Sequence, residues 1–572
     1  MSASNTFSDR MRLVRLVLSG GLFGTFRKIS GQPFLSWRLS GPVAEELLIA
    51  PQDLRTTDPT LANDFYAGHF VFAGKAVNCG ALSPFEIDAP SAMWREKLVE
   101  FGWLRHLRSA ETEIARTQAR IHLDDFITME AKPNSDAWSV DLTAKRVIAW
   151  LCHSPLLLEG CDHHFYRRFM RSLSRQVRFL RLTGNDAPDG LPRLNAAIAL
   201  SYASVCIGGH DTFLKNANKR LNRELTRQFL ADGGHFSRNP GAIISTLAYL
   251  LPLRQAIITR NFVPDDSISN TIDRLMPMLR FFRMGDGNFA HFNGMGDTPS
   301  DLVATVLAYD DTGGMPVSNA SHSGYQRVDA GTSILVMDAG KLPPRAVSAE
   351  THAGCLSFEL SCGRDRLIIN CGKPGPQLSH NDNSTWQKLA KTTAAHSTLS
   401  INHESSCRFV DYERYGEVLN SPVISGPDKV SCKRTMEDGI TKLEASHNGY
   451  VPPFGLEHHR TLSINHNGTE VSGVDQIMTA KGSSPSPGNK ATFQIRFHLH
   501  PSVQVDQISS KSVELRTASG NNWVFSTEDV KAKVDQSVAL ADVYHSRQTN
   551  QIVLEGVVGK SPKVEWSLQK ID

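Results

Sequence analysis

The sequence predicts a two-part chain, helical first and β second. The first half reads as an α-solenoid or closed (α/α) toroid, the second as a large antiparallel β-sandwich. Three observations predict this. Between about residues 90 and 310 the apolar residues recur at i, i+3, i+4 and i+7. Beyond about residue 315 they alternate in short runs separated by Gly, Asn and Asp turns. Between the two textures lies DDTGGMPVSNASHSG (310–324), rich in turn-forming residues.

The helical segments justify themselves in order. AMWREKLVEFGWLRHLRSAETEIARTQARIHLDDFI, FYRRFMRSLSRQVRFLRLTG, LPRLNAAIALSYASVCIGG, TFLKNANKRLNRELTRQFLADGG, NPGAIISTLAYLLPLRQAIITRN and SNTIDRLMPMLRFFRMGDG each carry the helical period. Several close on Gly, Asp or Asn, as helix C-termini do. They recur at roughly 40–50 residues, the spacing of stacked helical hairpins. The strand-like runs follow: SGYQRVDAGTSILVMDAG, CLSFELSCGRDRLIINCG, HSTLSINHESSCRF, HHRTLSINHNGTEVSGVDQI, ATFQIRFHLHPSVQV, SVELRTASGNNWVFSTED and QIVLEGVVG. So many short strands predict a sandwich. The expected divisions are residues 1–50 as a segment docking on the body, 51–312 as the helical domain and 318–572 as the sandwich.

Composition narrows the function classes. The chain has 572 residues, 40% hydrophobic and 21% charged, with a net charge of +3. These are globular values, and no whole-protein basic field for nucleic acid exists. Nine cysteines, an odd number and without a C-x-x-C pair, predict reduced, mostly buried thiols rather than a disulfide framework or zinc finger. The N-terminal DRMRLVRLVLSGGLFGTFRKIS is basic and apolar, but Arg15 interrupts it. It reads as a helix that docks on the body or lies on a membrane surface. No run reaches the ~20 apolar residues of a membrane span, which favours a cytoplasmic location.

Four constellations carry candidate chemistry. His352 in THAGCLSFEL and His396 in KTTAAHSTLSI each open a strand-like run. Histidine serves as acid, base or metal ligand near neutral pH. Asn370 and Cys371 end the next strand and would lie beside them. LADGGHFSRNPG (230–241) is a loop between two helices, with His235, Arg238 and Asn239 beyond what helix capping needs. Asn195 lies in the first turn of a helix, where an N-cap role is the plain reading. MGDGNFAHFNGMGD (284–297) offers His291 and Asn293, either to cradle a sugar or merely to turn the chain. In HLH (498–500) only one histidine can face any one site.

These motifs together resemble the heparinase II/III-like polysaccharide lyases, over most of the chain from about residue 50. SAETHAGCLSFELSCGRDRLIINCG and AAHSTLSI are similar to the family's H-A-D-x-L-S-F, D-P-G and A-H-N-T strands. The loop from Asp232 resembles its D-G-G-H-F-E-x-S-P-x-Y-H loop, and Asn195-Ala-Ala-Ile-Ala-Leu its N-H-x-x-x-N helix. The resemblance implies an incomplete (α/α) toroid joined to the sandwich, with the active site in the cleft between them. It implies β-elimination at a uronic acid in an acidic glycan. Asn195 would neutralise the uronate carboxylate. His235, His352 and His396 would be catalytic. Arg238, Asn239, Arg327 and Arg345 would hold the substrate's acidic groups, and His352, His396 and Asn370 would mark a zinc site. On this reading His352→Ala leaves the fold intact and removes turnover.

The sequence departs from the family at four places. The catalytic Tyr falls at Ala242, the following His at Ile243, the helix His at Ala196 and the metal-site Asp at Asn370. A replacement base would come from His235, Tyr325, Tyr412 or Tyr415. The alternative is a catalytically degenerate glycan-binding protein of the same fold. A third reading is glycoside hydrolysis by a pair drawn from Asp232, Asp286, Asp297 and Glu350. Family members are commonly exported to the periplasm, so the cell envelope stands beside the cytoplasm as a location.

Overall fold

The computed structural model describes residues 39–571, apart from 81, 130–135, 209–210, 311–312, 377–379, 411–421 and 543–545. The basic N-terminal stretch, Tyr412 and Tyr415 fall outside the described residues. Up to Ala308 the chain is helical apart from the antiparallel pair His69–Phe72 and Lys75–Asn78, and it is strand-rich from Asn319, an incomplete (α/α) toroid followed by a β-sandwich.

Polar residues start the main helices where the sequence supplies them. Ser139 accepts the Leu142 N–H at 3.3 Å and Asp162 the Phe165 N–H at 2.9 Å, capping Val140–Cys152 and His163–Thr183. The long run 92–127, read above as one helical stretch, is three helices: Ala92–Val99, Leu104–Ala110 and Glu113–Met129. Phe101 (φ 58°) and Glu111 (φ 53°) take left-handed backbone conformations between them, which no helix tolerates. Burial of the Phe101 ring against Trp103 and Trp150 favours the first of these breaks.

The helices then pack in sequence. Val140–Cys152 lies on Leu191–Cys206, which lies on Asp211–Gln228 and Gly241–Thr259, and the last packs on Asp266–Phe282. Gly241–Thr259 corrects the reading that no run is long and apolar enough to cross a membrane. Its 19 residues qualify by length and composition, but 67% of its apolar window is buried in the helical core. Residues after Leu39 run along the same body: Arg178 donates to the Leu39 carbonyl at 2.9 Å, and the Leu48 N–H to the Cys206 carbonyl at 2.7 Å.

The strands form two large antiparallel sheets. The eight-stranded sheet runs Val430–Glu437, Ile440–His447, Leu456–Asn465, Glu470–Thr479, Lys563–Ile571, Asn522–Thr527, Ser512–Arg516 and Gln504–Ser509. Its strands alternate buried and half-buried residues, as in Leu456–Asn465, because one face meets solvent. The nine-stranded sheet runs Ala532–Ala539, Arg547–Val557, Thr492–Leu499, Asp365–Ile369, Phe358–Cys362, Ser333–Asp338, Tyr325–Ala330 and Asn319–Ala320, with Leu399–Ile401 also on Thr492–Leu499. Phe358–Cys362 and Asp365–Ile369 are buried at every position. The helical half covers their second face: the Gly285 N–H donates to Ser361 Oγ at 3.0 Å and the His291 N–H to Glu359 Oε1 at 2.9 Å.

Between the sheets Phe358 stacks on Trp566 at 5.7 Å. Gly473 makes room for that indole, since a Cβ there would come within 2.1 Å of it.

Candidate functional site

The main cavity, about 950 Å³, lies between the helical domain and the 3-10 turn Arg345–Glu350 of the β half. Asn195, His235 and Asn239 line it, as does Ala242. His352, His396, Arg238, Arg327, Arg345 and Asn370 do not.

Asn195 is the fifth residue of Leu191–Cys206 and not its cap. Its Nδ2 donates to Asp141 Oδ1 at 2.8 Å. Asp141 Oδ2 pairs with Lys145 at 2.8 Å, and Lys145 reaches Glu100 at 2.9 Å. Glu100 also meets Lys97 at 3.0 Å. Asp141 and Lys145 are one helical turn apart on Val140–Cys152, so one face presents both. Burial alone would lower the Lys145 ammonium, but Glu100 and Asp141 outweigh it and push it above the ordinary lysine range. Beside them Asp53 holds Arg55 at 3.1 Å, and Arg55 lies 4.5 Å over the Tyr249 ring. Burial would raise the Asp53 carboxyl, but the His153 hydrogen bond and Arg55 hold it well below the usual carboxylate range. None of these carboxylates was singled out from the sequence. Only the helical i, i+4 spacing of Asp141 and Lys145 signals the pair in advance.

His235 has both ring nitrogens in use. Nδ1 accepts from the Ser237 N–H at 3.3 Å, and Nε2 lies 3.1 Å from Gln228 Oε1, to which it donates. Burial pushes its pKa down to about 3, so it stays neutral. Asn239 donates to Glu350 Oε2 at 3.1 Å, and Lys373 holds the other carboxylate oxygen at 2.5 Å.

The arginines are a correction. Arg238 was expected in the substrate channel; its guanidinium is buried at the joint between the two halves. It donates to the Ser323, Gly340, Lys341 and Gly324 carbonyls and pairs with Asp338 at 2.6 Å. Its charge also lies 4.6 Å over the Tyr325 ring. Gly340 is required beside it, because a Cβ there would come within 2.3 Å of the guanidinium. Arg327, also buried, donates to the Phe281 and Arg283 carbonyls at 2.7 Å and so satisfies the end of Asp266–Phe282. Arg238 has no donor left for a glycan, and neither guanidinium lines the cavity. Arg345 is exposed on the 3-10 turn but does not line the cavity.

The histidine pair is real and buried. His352 and His396 both precede their strands, in the loop before Phe358 and just after the turn Thr393–Ala395. Neither opens a strand. His396 Nδ1 donates to the Thr392 carbonyl at 2.8 Å, which leaves Nε2 to accept from His352 Nδ1 at 3.2 Å. Burial, and for His352 the neighbouring His396, drives both down, His396 to about 4. Asn370 is fully committed: Oδ1 accepts the Ser397 N–H at 3.0 Å and Nδ2 donates to Glu359 at 3.3 Å. These residues do not fit zinc, and among the described residues no three His, Cys, Asp or Glu side chains converge on one point.

Of the other expected bases, Tyr325 is buried in the joint, donating to the Arg238 carbonyl at 2.7 Å and accepting from Asn293 at 2.7 Å. Asn293 also donates to Asp338 at 3.0 Å, so that loop serves the joint and not a sugar. Its neighbour His291 faces a smaller cavity instead. The four carboxylates of the hydrolytic reading are spread over three places. Asp232 accepts the Ser323 N–H at 2.7 Å, Asp286 and Asp297 line the smaller cavity of about 240 Å³, and Glu350 lines the main one.

A helical toroid, a double-sheet sandwich and a cleft between them define one architecture, and comparison with known proteins gives it a name. Residues 312–567 match the heparinase II/III-like C-terminal family. That stretch, the C-terminal part of the chain, is heparinase II/III-like. Its fold is similar to that of heparinase III, with a TM-score of 0.72 over 94% of this chain and 88% of that one at 14% identity. It is also similar to a mutant of the heparan sulfate lyase HepC from Pedobacter heparinus, with a TM-score of 0.63 over 99% and 89% at 14% identity. In sequence, the chain is 29% identical over 545 residues to FtsZ-localized protein C of Caulobacter vibrioides, covering 94% of this chain and 92% of that protein.

Proposed function

We propose that this protein is a catalytically degenerate member of the heparinase II/III-like fold, one that binds a glycan in its cleft without cleaving it and that acts together with FtsZ. The observation that carries the first part is the bond from Asn195 to Asp141. Elimination needs a neutral donor on the substrate carboxylate and a base at the C5 proton. Here the asparagine already serves a protein carboxylate, and Ala242 presents a methyl group where a phenol would stand. His235 cannot substitute, since both its nitrogens are engaged. The likeness to FtsZ-localized protein C supports the second part, because it spans nearly the whole of both chains.

A lyase remains the second reading for one reason. Tyr249 lines the cleft two turns along Gly241–Thr259 from Ala242, so a phenol is present on the same helix face. Burial raises its pKa, which makes it a reluctant base.

Two measurements test the proposal. Incubation with heparan sulfate, hyaluronan, alginate and polygalacturonate should produce no ultraviolet absorbance from an unsaturated uronate; turnover on any of them refutes the degenerate reading. The purified chain should co-sediment with FtsZ polymers, and its remaining in the supernatant counts against the FtsZ part alone.

A further inference from the structure

The helix His163–Thr183 holds six arginines, Arg167, Arg168, Arg171, Arg175, Arg178 and Arg181, and no aspartate or glutamate. Phe165, Phe169, Leu173 and Val177 go to the core, so the three- and four-residue spacing leaves the arginines on the outer side. None of them lines the cleft. In a chain of net charge +3 they form a local cationic stripe. Asp124 holds Arg168 at 3.0 Å. Arg178 donates to the Leu39 and Pro42 carbonyls, which satisfy its hydrogens but not its charge. Burial, and then the like charge of Arg181, lower the Arg178 pKa. Arg181 lies 5.2 Å over the Phe213 ring, and Arg167 and Arg171 are exposed. Among the described residues no carboxylate pairs with Arg167, Arg171, Arg178 or Arg181.

The stripe is narrow, because carboxylates border it. Glu45 and Glu46 are exposed on the strap that runs past Ser174 and Tyr166, where the Ala44 N–H donates to Ser174 Oγ at 3.1 Å and Tyr166 to the Glu45 carbonyl at 2.8 Å. Asp124 stands beside Arg168, and the exposed Glu159 lies just ahead of the helix. A bilayer or a nucleic-acid duplex is wide enough to press its own phosphates against these carboxylates, and like charges repel. Single-stranded nucleic acid needs rings to stack on, and the outer side of the helix has no exposed aromatic residue. The chain's own first 38 residues join the described body beside Arg178, but they carry six cations against one carboxylate and so add to the charge rather than meet it.

We propose that the outer side of His163–Thr183 docks an acidic, extended segment of another protein. From Arg167 to Arg181 the helix rises about 21 Å, the length of roughly six extended residues. Alternate side chains of such a segment recur every ~7 Å on one face, close to the ~6 Å rise between Arg167 and Arg171. Each guanidinium presents a planar fork that matches a carboxylate. The surface is separate from the cleft, and its occupancy does not depend on what the cleft binds.

The test is fluorescence anisotropy of a labelled peptide of about twelve residues, alternating Glu and Ser, titrated with the full chain. Vesicles of phosphatidylglycerol and a single-stranded oligonucleotide are titrated beside it. The peptide should bind, and more weakly as salt rises from about 0.05 to about 0.3 M. Arg167→Glu with Arg171→Glu, both at exposed positions, should weaken that binding at least about tenfold. Lys442→Glu with Lys563→Glu makes the same change of net charge at exposed positions of the sandwich and should alter it by less than about twofold. An equal loss in both pairs reduces the effect to net charge and overturns the inference. Failure of the peptide to bind overturns it as well. So does tighter binding of the vesicles or the oligonucleotide that the Arg167→Glu, Arg171→Glu pair abolishes, which gives this face to a different partner.

Discussion

The cleft and the joint between domains hold the same kinds of side chain and use them in opposite ways. In the joint, Arg238 spends its donors on four backbone carbonyls and one carboxylate, and Tyr325 and Asn293 close the shell around Asp338. Water is excluded and the group is a fastener. In the cleft, Lys145 sits between Glu100 and Asp141 with about a quarter of its side chain exposed. It is paired, yet a ligand can reach it. A charge therefore acquires a structural or a binding role according to what surrounds it, even when its pairing geometry is the same.

Breaking the joint should have the largest effect. Arg238→Met leaves Asp338 buried without its cation, a loss of about 3–5 kcal/mol. Denaturant unfolding should show it, with a lowered midpoint. An unchanged midpoint would mean that the joint is not a fastener.

The pH dependence comes next. His122, His235, His396 and His498 are buried and held neutral, with pKa values of about 3 to 4, and burial depresses His291, His352 and His447 as well. In the unfolded chain they protonate near 6.5. Below that pH the unfolded state binds protons that the folded state refuses. Stability is thus full above 6.5 and falls as pH drops towards 4, by about 1.4 kcal/mol per unit for each such histidine. Melting temperatures across pH 7.5 to 4, bracketing that window, check it; a flat profile would contradict the burial of these rings.

His352→Ala is expected to be smaller, about 1–3 kcal/mol, because it strands the His396 Nε2 acceptor in a dry site. The sequence alone led to the expectation of an intact fold; burial reverses it. Thermal unfolding distinguishes the two. Lys145→Ala sharpens the comparison from the cleft side. Glu100 keeps Lys97 and Asp141 keeps Asn195, so stability should change by only about 1 kcal/mol, most of the pairing being screened by water. A loss as large as that of Arg238→Met would erase the distinction between cleft and joint.

Much of this architecture was legible in advance. Helical and alternating periods separated the two halves, since each reports which face of an element is buried. Asn195, His235 and Asn239 do line the cleft, and His352 does meet His396 across 44 positions. What failed was the direction in which side chains point. Arg238 and Arg327 looked like substrate clamps because a sequence shows an arginine's charge and not its neighbours. The breaks at Phe101 and Glu111 were hidden for a related reason: neither residue type favours a left-handed backbone, and tertiary contacts impose it.

The sequence by itself determined the order of domains and the likeness of the C-terminal part to a known family, because these depend on residue type and period alone. Only the tertiary structure decided which charges are open. Glu100, Asp141 and Asn195 lie far apart in the chain and meet on one wall. Whether a carboxylate there belongs to the protein or awaits a ligand depends on distances of a few ångströms that no local pattern encodes, since Coulomb and desolvation energies are set by neighbours in space and not in sequence.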